Sequence, residues 1–106
     1  MLIQINSDKQ VVVDAELTAS VEGEINRALA RFESKLTRVE VHLSDLNGSK
    51  PGTKDKRCLI EARPAGENPV TASDEADTTE QAVRGAANKM NRLLESAFGR
   101  ARDKAS

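Results

Sequence analysis

Aromatic side chains are almost missing from this chain: it has two phenylalanines and neither tyrosine nor tryptophan. Stacking of unpaired bases on aromatic platforms, the route most single-strand RNA readers use, is therefore excluded as a main binding mode. Cys58 is the only cysteine, so no internal disulfide can form and the composition fits a reducing compartment. No apolar run approaches the ~20 residues of a membrane span. The opening MLIQINSDKQ has no basic stretch followed by an apolar one, so it does not read as a signal peptide and the expected location is cytoplasmic. Charge of one sign is also lacking. With 16 Lys+Arg against 17 Asp+Glu the net charge is −1, so contact with an anionic partner must come from the distribution of charge rather than its sum. No GxGxxG, Walker loop or HExxH occurs.

Periodic patterning is present throughout. In Thr37–Leu46 the apolar set Val39, Val41 and Leu43 alternates with Arg38, Glu40, His42 and Ser44. In Lys56–Arg63 Cys58, Ile60 and Ala62 alternate with Arg57, Leu59, Glu61 and Arg63. Alternation at period two predicts strands with one buried and one wet face. Leu2–Asn6 and Val70–Ser73 read as two further short strands. Leu17, Val21, Ile25, Ala28/Leu29, Phe32 and Leu36 recur every three or four residues, which predicts a helix over Ala15 to Lys35 with Asp14 as N-cap. A second stripe, Val83, Ala86/Ala87, Met90, Leu93/Leu94 and Ala97/Phe98, predicts a last helix capped by Asp77, Thr78 or Thr79 and stopped at Gly99. The order β-α-β-β-β-α predicts an α+β domain over residues 1–99, with a four-stranded sheet and two helices packed on one face. A basic flexible tail is expected over 100–106.

Chemistry-bearing residues are few. His42 falls on the polar face of its strand and Cys58 on the apolar face, so they cannot form a nucleophilic pair or a metal site together. No catalytic residue, metal or cofactor is expected, nor a small-molecule substrate, and the chain reads as a non-enzyme. The cations are more telling. Lys50, Lys54, Lys56 and Arg57 fall within eight positions around Pro51 and Gly52. On the first helix Arg27, Arg31 and Lys35 follow one line at i, i+4, i+8. On the last helix Lys89 and Arg92 share a face with Gly85, with Arg84 beside it. Arg100, Arg102 and Lys104 lie beyond, while Asp74, Glu75, Asp77 and Glu80 cluster elsewhere. These cations are expected to form one surface that grips phosphates by charge rather than by base readout.

The segments TRVEVHLSDLNG and DKRCLIEARPAG, taken with LIQINSD and NPVTASDEADTTEQAVRGAANKMNRLL, resemble the ribosome hibernation-promoting factor and ribosome-associated inhibitor family in its short form. The resemblance covers nearly the whole chain. It implies a fold akin to the double-stranded-RNA-binding domain. It also implies binding to the small ribosomal subunit in the messenger and transfer RNA channel through 16S rRNA, silencing translation in stationary phase or stress. By region, the resemblance assigns rRNA contacts to Arg84, Lys89 and Arg92 on the last helix and to Lys54, Lys56 and Arg57 near the basic loop; Arg27 and Arg31 join them as candidates from the first helix. The chain departs from the family in having Thr78-Thr79 where an aromatic is common, and in a less basic last helix. It also lacks the long C-terminal extension of the long forms, so any ribosome pairing it promotes is expected to be indirect. A different class of function, a non-catalytic module acting on a transcription or stress regulator, also suits the charge balance.

Overall fold

The computed structural model describes residues 1–9, 11–46 and 55–105. The elements follow in the expected order: β1 (Leu2–Ser7), α1 (Ala15–Leu29), a 3-10 turn (Ala30–Lys35), β2 (Leu36–Asp45), β3 (Lys56–Pro64), β4 (Val70–Ala76) and α2 (Thr79–Ala105). The strands form one mixed sheet in the order β1-β2-β3-β4. β1 runs parallel to β2, the α1 crossover supplying the reversal that a parallel pair requires, and the remaining pairs are antiparallel.

Register explains the core. Val41 lies opposite Ile60 and Leu43 opposite Cys58, and Ile60 in turn faces Ala72 across β3–β4. All of these side chains are buried, together with Val21, Ile25, Ala28 and Leu29 of α1 and Val83, Ala86, Ala87, Met90 and Leu94 of α2. Both helices cover this face, while Gln4, His42 and Thr71 stay exposed on the other. Each alternating strand has a single apolar side and each helix a single stripe, so a two-layer α+β arrangement satisfies both. Asp14 caps α1 as expected, accepting from Leu17 N at 2.8 Å, and Thr78 Oγ1 accepts from Gln81 N at the start of α2.

Three expectations about boundaries are corrected. The first helix does not run regularly to Lys35: beyond Leu29 it tightens into the 3-10 turn, which brings Phe32 onto Phe98 with ring centroids 5.3 Å apart and leads Leu36 into the sheet. β4 does not stop at Ser73 but continues to Ala76, so period two turns Asp74 toward the helices and Glu75 to the open face, dividing the acidic cluster. Gly99 does not end α2, which continues to Ala105; a glycine permits a left-handed stop without imposing one. The turn after β3 does use that freedom. Glu67 N donates to Pro64 O at 3.3 Å around Gly66 at φ 75°, a type II turn that needs positive φ at its third residue.

Candidate nucleic-acid interface

The two helices lie side by side, and each contributes a polar row to the seam between them. On α1 the row is Glu24, Arg27 and Arg31; on α2 it is Arg84, Asn88, Asn91 and Glu95, spaced by four, three and four so that they share one face. Arg27 Nη2 donates to Glu24 Oε2 at 2.7 Å and to Asn88 Oδ1 at 3.4 Å. Arg31 Nη2 donates to Asn91 Oδ1 and Glu95 Oε2, both at 2.9 Å. Arg84 Nε lies 3.6 Å from Glu24 Oε1, so one half-buried carboxylate orients two guanidinium groups from different helices. Arg31 also stacks over Phe32 and Lys35 over Phe98, each 4.8 Å from the ring centroid.

These arginines remain wet, with side chains 55%, 55% and 61% exposed for Arg27, Arg31 and Arg84. A guanidinium has five N–H donors, and the carboxylates and amides of the seam use only part of that set. The seam therefore holds Arg27 and Arg31 by hydrogen bonds and draws Arg84 to Glu24 by charge, with donors still facing solvent, an arrangement matched to phosphate oxygens. Arg92 is exposed on α2, one turn after Asn88, on the outward side of the helix between the seam row and Lys89.

The other candidate cations are elsewhere. Lys89 lies round the side of α2, where its Nζ donates to Asp74 Oδ1 and to the Ser73 carbonyl, both at 3.1 Å. Gly85 makes this contact possible, because a side chain at that position would overlap the Asp74 carboxylate. Lys56 alternates with Cys58 and Ile60, so it points to the helix side of the sheet. There its ammonium meets Asp45 Oδ2 at 3.0 Å and Asp55 Oδ2 at 3.2 Å, two carboxylates with side chains only 7% and 6% exposed. The hydrogen bond to Asp45, opposed by burial and reinforced by Asp55, pushes the Lys56 pKa above its ordinary 10.5. Leu46 N donates to Asp55 O at 2.7 Å, so the ends of β2 and β3 are tied twice. Arg57 is on the open sheet face, across β3–β4 from Glu75. Lys50 and Lys54 lie outside the described residues, as do the side chains of Arg100, Arg102 and Lys104.

Among the described residues, the seven candidates other than Lys54 do not form one continuous cationic surface. Arg27, Arg31 and Arg84 come together at the seam; Arg57 and Lys89 border one shallow groove with Ser73, Asp74 and Glu75, and Lys56 lies apart between Asp45 and Asp55. Sequence reasoning missed Glu24, Asn88, Asn91 and Glu95 as orienting groups, although their spacing put them on the seam rows. It also missed the clamp of Asp45 and Asp55 on Lys56. Strand alternation carried that signal, since Asp45 follows Val41 and Leu43 on the apolar side.

The remaining chemistry is quiet. Cys58 is fully buried, and desolvation, with Asp74 nearby, pushes its thiol up to about 12, so it stays protonated. The open sheet face carries a self-paired set in which Arg63 meets Glu61 at 2.6 Å and Glu40 at 3.4 Å. A cleft of about 560 Å³ near the starts of both helices is lined by Asp14, Glu16 and Glu80 against the single Lys56, a balance that disfavours an anion. Among the described residues no cluster could hold a metal ion, and no helix is long and apolar enough to cross a membrane.

The family model described as Sigma 54 modulation protein / S30EA ribosomal protein matches residues 3–102. The chain belongs to this family. That membership places it among ribosome-associated proteins and agrees with the resemblance carried by the β2 and β3 segments. The fold is shared with solved structures. A ribosomal subunit interface protein from Coxiella burnetii superposes with a TM-score of 0.79 at 15% identity, covering 93% of this chain and 99% of that one. The Protein Y N-terminal domain of Thermus thermophilus superposes with a TM-score of 0.71 at 21% identity, covering 91% and 98%. No curated protein matches the sequence.

Proposed function

We propose that this protein is a hibernation factor that binds the small ribosomal subunit in the messenger and transfer RNA channel and silences translation in stationary phase or stress. It acts without catalysis, in the cytoplasm. A rigid body that binds only the vacant channel competes with messenger and transfer RNA by mass action. The observation that carries this reading is the row of Arg27, Arg31 and Arg84, held in place by Glu24, Asn88, Asn91 and Glu95 with outward donors remaining. Such a row meets the phosphates of 16S rRNA without the ordering cost that flexible side chains incur on binding. Arg92 adds an exposed cation on the outward side of the same helix. Lys54 and Arg57 supply further contacts, whereas Lys56 and Lys89 take part through the geometry they hold.

Sucrose-gradient co-sedimentation with small subunits tests the assignment. The wild-type protein is expected to migrate with them in a salt-sensitive way, and Arg27→Glu/Arg31→Glu/Arg84→Glu is expected to lose binding by more than about 100-fold while staying folded. Undiminished migration of the triple variant would remove the seam from the interface. A salt-tolerant complex with a protein and no ribosome peak would favour the regulator-binding role instead, the one that the words "Sigma 54 modulation" in the family description suggest.

A further inference from the structure

The two edges of the sheet are built differently. At the β4 edge Lys89 reaches over from α2 and donates to the outward carbonyl of Ser73, and Asp74 and Glu75 add charge to the same strand. Charges and a lysine laid across an edge are the usual protection against pairing with another chain. β1, at the opposite end of the strand order, has no such device: LIQINS contains no charged residue and no proline.

The direction of the unpaired groups on β1 follows from one hydrogen bond. Asp8 N donates to Leu43 O at 3.1 Å, continuing the ladder in which Ser7 lies beside Leu43. In a parallel pair alternate residues serve a given neighbour, so Gln4 and Asn6 bond to β2 while the N–H and C=O groups of Ile3, Ile5 and Ser7 point away from the sheet.

We propose that this edge pairs antiparallel with the β1 edge of a second copy of the chain, about a twofold axis at Gln4. In that register Ile3 lies opposite the second copy's Ile5 and exchanges both ladder hydrogen bonds with it. Leu2, 57% exposed, lies opposite Asn6, and the two Gln4 residues face each other as a pair that makes no ladder bonds. The strand is self-complementary. Its outward-bonding residues pair with one another, Ile3 and Ile5 meet on the helix side where both already pack against the core, and no like charges oppose. A six-residue edge buries less than the ~1,200 Å² of a stable interface, so the dimer is weak and concentration-dependent. This pairing does not depend on the ribosome reading, and its failure would leave that reading untouched.

Disulfide trapping and sedimentation velocity test it on the full chain. In the proposed register a Gln4→Cys pair has Cα atoms about 4.5 Å apart, within the range a disulfide spans. The native Cys58 is fully buried and does not compete. Gln4→Cys is expected to cross-link into a dimer under mild oxidation. Asn6→Cys, whose two copies would be about four residues out of register, is expected not to. In sedimentation velocity the wild-type dimer peak that grows with concentration is expected to be lost in Gln4→Lys, which places two ammonium groups face to face at an exposed position. A wild-type chain that stays monomeric up to millimolar concentration, a Gln4→Lys variant that associates as well as wild type, or cross-linking as efficient at Asn6→Cys would overturn the proposal.

Discussion

Arginine and lysine perform different tasks in this domain. At the helix seam three arginines sit more than half exposed and are oriented by groups that leave donors unused. At the sheet the described lysines of the candidate set are spent on the fold: Lys56 neutralises two buried carboxylates at the ends of β2 and β3, and Lys89 binds Asp74 and the Ser73 carbonyl at the β4 edge. The contrast follows from side-chain chemistry. An ammonium is a compact point charge that can settle among carbonyl and carboxylate oxygens, whereas a planar guanidinium can satisfy one partner and still offer a fork to a second. A positive charge in the sequence therefore says little about binding until its partners are known.

The sharpest way to break this contrast is Lys56→Met, which takes from the Asp45 and Asp55 carboxylates the ammonium that meets both. It is expected to give the largest fall in melting temperature at neutral pH among single substitutions of these cations, with most of the loss recovered by adding Asp45→Asn and Asp55→Asn. A melting temperature equal to wild type would show that the clamp is idle.

Alkaline pH probes the buried, sheet side of the contrast next. The Cys58 thiol ionises near 9.0 when unfolded but near about 12 when folded, so the unfolded state releases its proton first and stability falls as pH rises across that window. The slope should reach about 1.4 kcal/mol per pH unit. Lys56, raised above 10.5, adds a loss in the same direction, present in full below 10.5 and lost as pH climbs through its folded value. Urea titrations from pH 8 to 11 should show the decline, and Cys58→Ala should flatten its lower part.

A smaller effect is expected from Gly85→Ala, whose methyl group must displace the Asp74 carboxylate and with it Lys89. The cost should be about 1–3 kcal/mol, reduced when Asp74→Ala is present, since the overlap is then gone. An additive double mutant would mean that Asp74 is not what the methyl meets.

Smallest of all should be the stability change in Arg31→Ala. Its ion pair with Glu95 is open to solvent on both sides, which limits the cost to below about 1 kcal/mol, while ribosome co-sedimentation should weaken measurably. A large fall in stability would assign Arg31 to the fold and remove the distinction from Lys56.

Much of the architecture was legible in the chain. Alternation placed Val39, Val41 and Leu43 and their counterparts in β3 on one buried side, and two stripes at helical spacing identified both helices and the layer they form. The ends of elements were less legible. The 3-10 turn exists because Phe32 reaches Phe98, more than sixty positions away, and β4 extends past Ser73 because β3 offers it partners as far as Lys56. Of the candidate site, Arg27 and Arg31 were visible as a line on one helix. Lys56 was grouped with Arg57 because they are neighbours in sequence, although adjacent strand residues point to opposite faces.

By itself, then, the sequence determined the order of elements and which side of each turns to the core, because periodicity is a local property of the chain. Only the tertiary structure decided that Glu24 would hold both Arg27 and Arg84, that Asp74 would claim Lys89, and that the lysines and arginines would part company. Those contacts depend on how two helices lie against each other and against a sheet, and they join residues up to 64 positions apart, a relation that no local pattern encodes.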